Sequence, residues 1–321
     1  MAPGRFAAQR ASHRTSPTLI YKFFYPKKKQ TTVYTITQSG IRSNSGMSQL
    51  RTLIFDVDGT LVDTEEVHRQ AFNLAFLDFD LGWQWTPHLY SELLAISGGL
   101  ERIHCYATHL GKAAKKTDSF NEFVLRVHQR KSAHYARLIN SGEVPLRPGV
   151  KRLLNEALEQ DIKLAIATST SMVNVKTLLD NRLPRDWPSW FEVVATADTI
   201  AKKKPSPDVY HFVLNVLAEK PQHCIAIEDT ESGNTASLQA GITTVITLHA
   251  LTRGSKFPGA SLVVDHLGEP GLPMTIFSSH SQSLSTLTHV DMELLKGILN
   301  VARPCRHKAD PCRAPCLGIV E

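Results

Sequence analysis

The first 46 residues contain no aspartate or glutamate, yet they hold eight basic residues: Arg5, Arg10, Arg14, Lys22, Lys27, Lys28, Lys29 and Arg42. The formal charge of +6 therefore belongs to one end of the chain. Beyond residue 46 there are 28 basic against 30 acidic residues, a net of −2. Such a body lacks the basic face that nucleic-acid binding needs. Long apolar runs are missing too. Nothing approaches the ~20 residues of a membrane helix, and the basic leader has no secretory apolar core. Neither nucleic acid nor membrane is expected as a partner. Cysteine is scarce, with five in 321 residues. Cys105 and Cys224 lie in apolar contexts and read as reduced core residues. Cys305, Cys312 and Cys316, with His307, match none of the paired zinc spacings.

The leader over residues 1–48 is rich in Arg, Ser and Thr. It reads either as an organelle transit peptide or as sequence upstream of the true start, because Met47-Ser48-Gln49-Leu50 opens just ahead of the first strand. The second reading is favoured and implies a cytoplasmic protein; the first implies the plastid stroma. Beyond residue 265 Gly, Pro, Ser, Thr and His dominate. Apart from one helix at 292–299, residues 266–321 are expected to be a poorly structured tail.

What is present centres on Leu53-Ile54-Phe55-Asp56-Val57-Asp58-Gly59-Thr60. The apolar run suits a strand buried on both faces. On an extended strand tip, Asp56 and Asp58 point the same way. Two carboxylates so close repel unless one is protonated or a cation joins them. Gly59 permits a sharp turn. A helix follows from Thr64, a plausible N-cap, to Phe79; on it Glu65 and His68 share a face. Helical patterns then run at 88–95, 100–110 and 119–138, without a strand, so residues 63–145 form a helical insert. Its Ser97-Gly98-Gly99 loop has Tyr90 and Arg102 nearby, and Arg102 is a candidate phosphate ligand.

From residue 150 strands and helices alternate, and the strands are nearly all apolar. That predicts a parallel sheet covered on both sides, in an α/β core made of residues 49–62 and 146–265. Such sheets bind ligands outside the carboxyl ends of their strands. The sequence puts several polar groups there. Thr168-Ser169-Thr170-Ser171 ends one strand with more hydroxyls than capping needs. Glu228-Asp229 ends another. Lys204 follows a third through a short loop and abuts Pro205-Ser206-Pro207, which opens a helix.

Together these four motifs resemble the haloacid dehalogenase superfamily of phosphatases: Asp56-Val57-Asp58-Gly59-Thr60, Ala167-Thr168-Ser169, Lys204 and Glu228-Asp229, in that order. The helical insert resembles the small cap of the β-phosphoglucomutase-like branch. Asp63-Thr64-Glu65-Glu66-Val67-His68, Gly98-Gly99-Leu100-Glu101-Arg102 and Leu146-Arg147-Pro148-Gly149 are similar to CbbY-type proteins. The resemblance covers roughly residues 50–250. It implies a Rossmann-like core with a parallel sheet and a helical cap inserted after the first strand. It also implies a Mg²⁺-dependent phosphatase that removes xylulose 1,5-bisphosphate, a Rubisco inhibitor, by way of an aspartyl phosphate. On this reading Asp56 is the nucleophile and Asp58 the acid and base. Gly59, Thr60, Thr168, Ser169 and Lys204 would bind phosphate. Asp56, Asp58, Glu228 and Asp229 would hold the metal. Glu65 and His68 would meet sugar hydroxyls, and Tyr90 and Arg102 the distal phosphate. Leu100 stands where closer relatives would carry a lysine, which removes one cation from the distal end. The partner is a small sugar phosphate, and the protein is expected to be a monomer. Two other readings remain open: a sugar phosphomutase using the same Asp pair, and a non-catalytic binding module.

Overall fold

The computed structural model describes residues 49–109, 118–142, 144–279 and 287–301. The basic leader lies outside the described residues, as do Cys305, His307, Cys312 and Cys316. The strands are β1 (Thr52–Phe55), β2 (Lys163–Ala167), β3 (Phe191–Ala195), β4 (Cys224–Glu228), β5 (Thr243–Thr247), β6 (Leu262–Val264) and β7 (Ile276–Ser279). They form one sheet in the order β3-β2-β1-β4-β5-β6-β7. All neighbours pair in parallel except β6 and β7.

β1 is central and buried at every position. Leu53 and Phe55 join the core on one face of the sheet, and Ile54 joins the core on the other. This alternation is the two-residue period of a strand with both faces covered. Phe55 is level with Ile166 of β2 and with Ile227 of β4. The next residue of each strand is therefore Asp56, Ala167 or Glu228, all at one edge. The chain leaves β1 towards β2 on one side and later fills β4 on the other. That reversal opens a crevice at the carboxyl ends.

The helices are α1 (Glu65–Asp78), α2 (Pro87–Leu93), α3 (Gly99–His109), α4 (Asp118–Ser141), α5 (Val150–Glu159), α6 (Met172–Asp180), α7 (Asp208–Leu217), α8 (Glu231–Gln239) and α9 (Met292–Val301). Helices α1 to α4 form the insert after β1. They share a separate apolar cluster that includes Phe72, Phe76, Trp85, Ile103 and Val127. The Trp85 ring packs 4.5 Å from Phe72 and 4.9 Å from Phe76, centroid to centroid. A core of its own lets this cap keep its shape while sitting above the sheet edge.

The expected poorly structured tail is corrected over residues 266–279 and 287–291, and the one helix expected at 292–299 is α9. β7 closes the sheet edge, and α9 buries Met292, Leu295 and Leu299 in the main core. The ordering contacts are distant in sequence. Arg152 of α5 donates to the carbonyls of Gly268 at 2.8 Å and Val290 at 3.0 Å. Glu269 accepts from the Gly149 N–H at 2.9 Å, and Glu156 from the Met292 N–H at 3.2 Å. Local composition does not reveal such partners. Replacing fully buried Leu295 with Ala is expected to destabilise the core by about 2–5 kcal/mol, seen as a lower urea midpoint at unchanged slope. A midpoint equal to that of the wild type would mean that α9 does not belong to the core.

Candidate active site

The site is a cavity of ≈ 270 Å³ between cap and sheet edge. Asp56, Asp58, Thr168, Ser169, Lys204 and Asp229 line it from the core, and Glu65, His68, Arg102, His128 and Lys131 from the cap. The four motifs thus meet in one place.

Its floor is a problem in electrostatics. Asp56, Glu228 and Asp229 are all buried, and each offers a carboxylate oxygen within 4.8 Å of the others. Lys204 answers part of that charge. Its Nζ lies 2.6 Å from Asp56 Oδ1 and 2.5 Å from Glu228 Oε1, and it donates to the Ala167 carbonyl at 2.9 Å. Burial alone would lower the lysine, but Asp56 and Glu228 outweigh it and keep it protonated. The Asp56 carboxyl is nevertheless pushed well above its ordinary range, chiefly by burial and then by Glu228 and Asp229, against the pull of Lys204. Glu228 is pushed up likewise. One lysine does not balance three buried carboxylates. An oxygen-rich, under-neutralised cluster suits a hard divalent cation, so the residues present fit Mg²⁺. Glu228 is fully buried beneath the cavity, and its Oε1 also accepts from the Tyr210 hydroxyl.

Asp58 lives in a different environment. Its Oδ1 accepts from Thr64 Oγ1 at 2.6 Å and from His68 Nε2 at 2.9 Å, with the Tyr135 hydroxyl at 3.4 Å. Burial would raise this carboxyl, but His68, Thr64 and Lys131 together hold it well below the usual range. Thr64 sits at the N-cap position of α1 but makes no side-chain cap bond; its hydroxyl serves Asp58 instead. A carboxylate only accepts, so His68 Nε2 carries a hydrogen. Lys131 Nζ lies 2.5 Å from His68 Nδ1, which completes a chain from Lys131 through His68 to Asp58. His68 also stacks on Tyr135 at 4.1 Å.

Three expectations need correction. Gly59 and Thr60 do not line the cavity. Their N–H groups are spent in the turn, Gly59 on Val62 O at 2.7 Å and Thr60 on Val57 O at 3.3 Å, so they are not free to bind phosphate. Gly59 is needed for its left-handed φ of +81° and because a Cβ there would meet Asp229 Oδ2 at 2.0 Å. Tyr90 is fully buried and lies off the cavity. It donates to Glu65 Oε2 at 2.8 Å and accepts from Arg102 Nη1 at 3.0 Å, so it positions two cavity residues.

Several residues received no site role from the sequence. His128, Lys131 and Tyr135 recur at three- and four-residue spacing on α4, a one-face pattern that was the available signal. Arg147 is buried and donates to the carbonyls of Gly59, Thr247, Leu248 and Asp265, tying the Asp-pair turn to β5 and beyond. Lys203 pairs with Glu101 of the cap at 2.7 Å, and Ser97 of the cap donates to Ser169 of the core at 2.7 Å. These two contacts join cap and core across the crevice, while Tyr135 and Ile139 of α4 pack into the main core at the base of the cap.

A family model of haloacid dehalogenase-like hydrolases matches residues 53–247. The chain belongs to this family. Protein CbbY (plasmid) of Cupriavidus necator is 44% identical over 225 residues, which is 70% of this chain and 89% of that protein. The CBBY-like protein of Arabidopsis thaliana is 35% identical over 74% of this chain and 77% of its own length. A crystal structure of a CbbY variant from Rhodobacter sphaeroides with xylulose 1,5-bisphosphate has a TM-score of 0.63 at 36% identity, covering 68% of this chain and 95% of that one. This haloacid dehalogenase-like protein is a phosphatase of the CbbY type. Among the described residues no helix is long and apolar enough to cross a membrane.

Two outcomes follow. Burial, with the charge of Arg102 adding to it, brings the Lys131 ammonium down to about 7, against the pull of Asp58 and Glu65. A lysine whose folded pKa is depressed costs stability below that value, and the cost fades as pH rises towards its unfolded value of ~10.4. Lys131→Met is therefore expected to melt above the wild type at pH 6, with the gap closing between pH 7 and 10; a gap independent of pH contradicts this. The Glu101–Lys203 pair is half-exposed, so Glu101→Gln is expected to cost about 0.2–1 kcal/mol. It should raise KM by up to about fivefold and leave kcat little changed, which steady-state kinetics at low salt would read.

Proposed function

We propose that this protein hydrolyses xylulose 1,5-bisphosphate to xylulose 5-phosphate with Mg²⁺, through an aspartyl phosphate on Asp56. The observation that carries the reading is the division of the Asp pair. Asp56 sits on Lys204 at the floor, while Asp58 sits under the cap on His68 and Thr64. Equal carboxylates in unequal surroundings take unequal roles.

Asp56 Oδ1 is held by Lys204, which leaves Oδ2 to attack phosphorus. As the new P–O bond forms, the bond to the sugar oxygen breaks, and that oxygen takes a proton from Asp58. Asp58 rests ionised, so it needs a proton supply, and the Lys131–His68 chain reaches its Oδ1. In the second half Asp58 accepts a proton from the water that attacks the aspartyl phosphate. Thr168, Ser169 and Lys204 would hold the transferring oxygens. Asp56, Asp229 and the Asp58 carbonyl would hold Mg²⁺, with Glu228 close behind. When bound, the ion would offset the repulsion between these carboxylates and the phosphate. Glu65, kept in place by Tyr90 and Arg102, would meet the sugar. Arg102 of the cap and Lys203 of the core supply cations to the cavity lining despite Leu100, with Lys131 beside them. A cytoplasmic location is the companion inference, with the plastid stroma as its alternative.

The test is phosphate release from a panel of sugar mono- and bisphosphates, with and without Mg²⁺. Xylulose 1,5-bisphosphate is expected to give the highest kcat/KM, and Asp56→Asn to lower kcat by at least ~10³-fold. A flat preference would defeat the substrate assignment. A hexose 1-phosphate returned as its isomer, without free phosphate, would point to the mutase.

A further inference from the structure

The floor carboxylates share a pattern. One oxygen of each is taken by a donor from outside its own strand. Lys204 holds Asp56 Oδ1, and Lys204 and Tyr210 hold Glu228 Oε1. Asp229 has a donor of its own, His249, which none of the four motifs includes. His249 follows β5 and is almost wholly buried. Its Nε2 lies 3.1 Å from Asp229 Oδ2. Because a carboxylate only accepts, Nε2 is the donor. The ring is itself held. The His249 N–H donates to Thr252 Oγ1 at 3.1 Å, the Thr252 N–H returns to His249 O at 3.0 Å, and the Leu251 N–H faces Nδ1 at 3.4 Å.

Space confines the same carboxylate. A Cβ on Gly59 would fall 2.0 Å from Asp229 Oδ2 and 3.2 Å from His249 Cδ2. Asp229 Oδ2 is thus wedged between the backbone of the Asp-pair turn and the imidazole. Arg147 reinforces the wedge by tying Gly59 O to Leu248 O, the residue before His249. We infer that His249 is a positioning residue for the metal: it takes Asp229 Oδ2 and so presents Oδ1 to a divalent cation shared with Asp56. The inference rests on the Mg²⁺ reading of the floor. It assigns His249 no contact with the ion or the sugar phosphate.

Donors behind metal-binding carboxylates typically change metal affinity by about 10–100-fold when removed. The experiment is calorimetric titration of Mg²⁺ into the full chain without substrate, for wild type, His249→Ala, His249→Gln, His249→Met and Asp229→Asn. His249→Ala and His249→Met are expected to bind Mg²⁺ about 10–100-fold more weakly, and His249→Gln, whose amide can donate, to recover most of that loss. The KM for sugar phosphate at saturating Mg²⁺ should not move. His249→Met fills the space without a donor and carries the comparison if the Ala variant does not fold. Equal Mg²⁺ affinity in wild type and His249→Met would overturn the role of His249 alone. A wild type that takes up no Mg²⁺, or an Asp229→Asn variant that binds as the wild type does, would overturn the metal reading and this inference with it.

Discussion

Three carboxylates buried together at one sheet edge are the constraint on which the rest of the structure depends. At ~4 Å, two like charges repel by about 4 kcal/mol at an effective dielectric of ~20. Asp56, Glu228 and Asp229 sit closer to that regime than to bulk water. Every donor around them answers the same strain: Lys204 from the loop before α7, Tyr210 from α7 and His249 from the end of β5. Burial, more than any neighbouring charge, raises the Asp56 and Glu228 carboxyls, with the other floor carboxylates adding to it against the pull of Lys204. A floor still short of positive charge suits a site that handles a cation with a phosphate.

The cap solves the opposite problem. Asp58 is only two residues from Asp56, yet it is over-supplied with donors, all on one oxygen. Those donors come from α1, α4 and the link between β1 and α1, so the protonation state of Asp58 depends on where the cap sits. At the mouth of the crevice the cap meets the core through modest contacts, the Glu101–Lys203 pair and the Ser97–Ser169 bond, while Ala71, Tyr135 and Ile139 of α1 and α4 anchor its base in the main core. Partly exposed pairs of this kind are weak. Weak contacts at the mouth matter mechanically, because a substrate has to enter a cavity of ≈ 270 Å³ that cap and core enclose together.

Much of this was legible in the chain. The β1 run, the strand-helix alternation after residue 150 and the helical insert all follow from periodicity, and their residues lie where that pattern puts them. Asp56, Asp58, Thr168, Ser169, Lys204 and Asp229 could be grouped because parallel strands end at a common edge. Gly59 and Thr60 misled, because a turn that consumes its own N–H groups looks in sequence like one that offers them. The tail misled because Arg152, Glu156 and Glu269 order it across more than a hundred residues.

By itself the sequence determined the fold class, the family and the set of groups at the strand ends. Those depend on local periods and on short motifs, and a parallel sheet aligns the motifs whatever the side chains do. Only the tertiary structure decided how the charges are shared. Which oxygen of Asp58 meets His68, that Tyr90 backs Glu65 and does not face the cavity, and that His249 reaches Asp229 all depend on distances between residues far apart in the chain. Hydrogen bonds act over about 3 Å, and no spacing rule in one dimension carries that information.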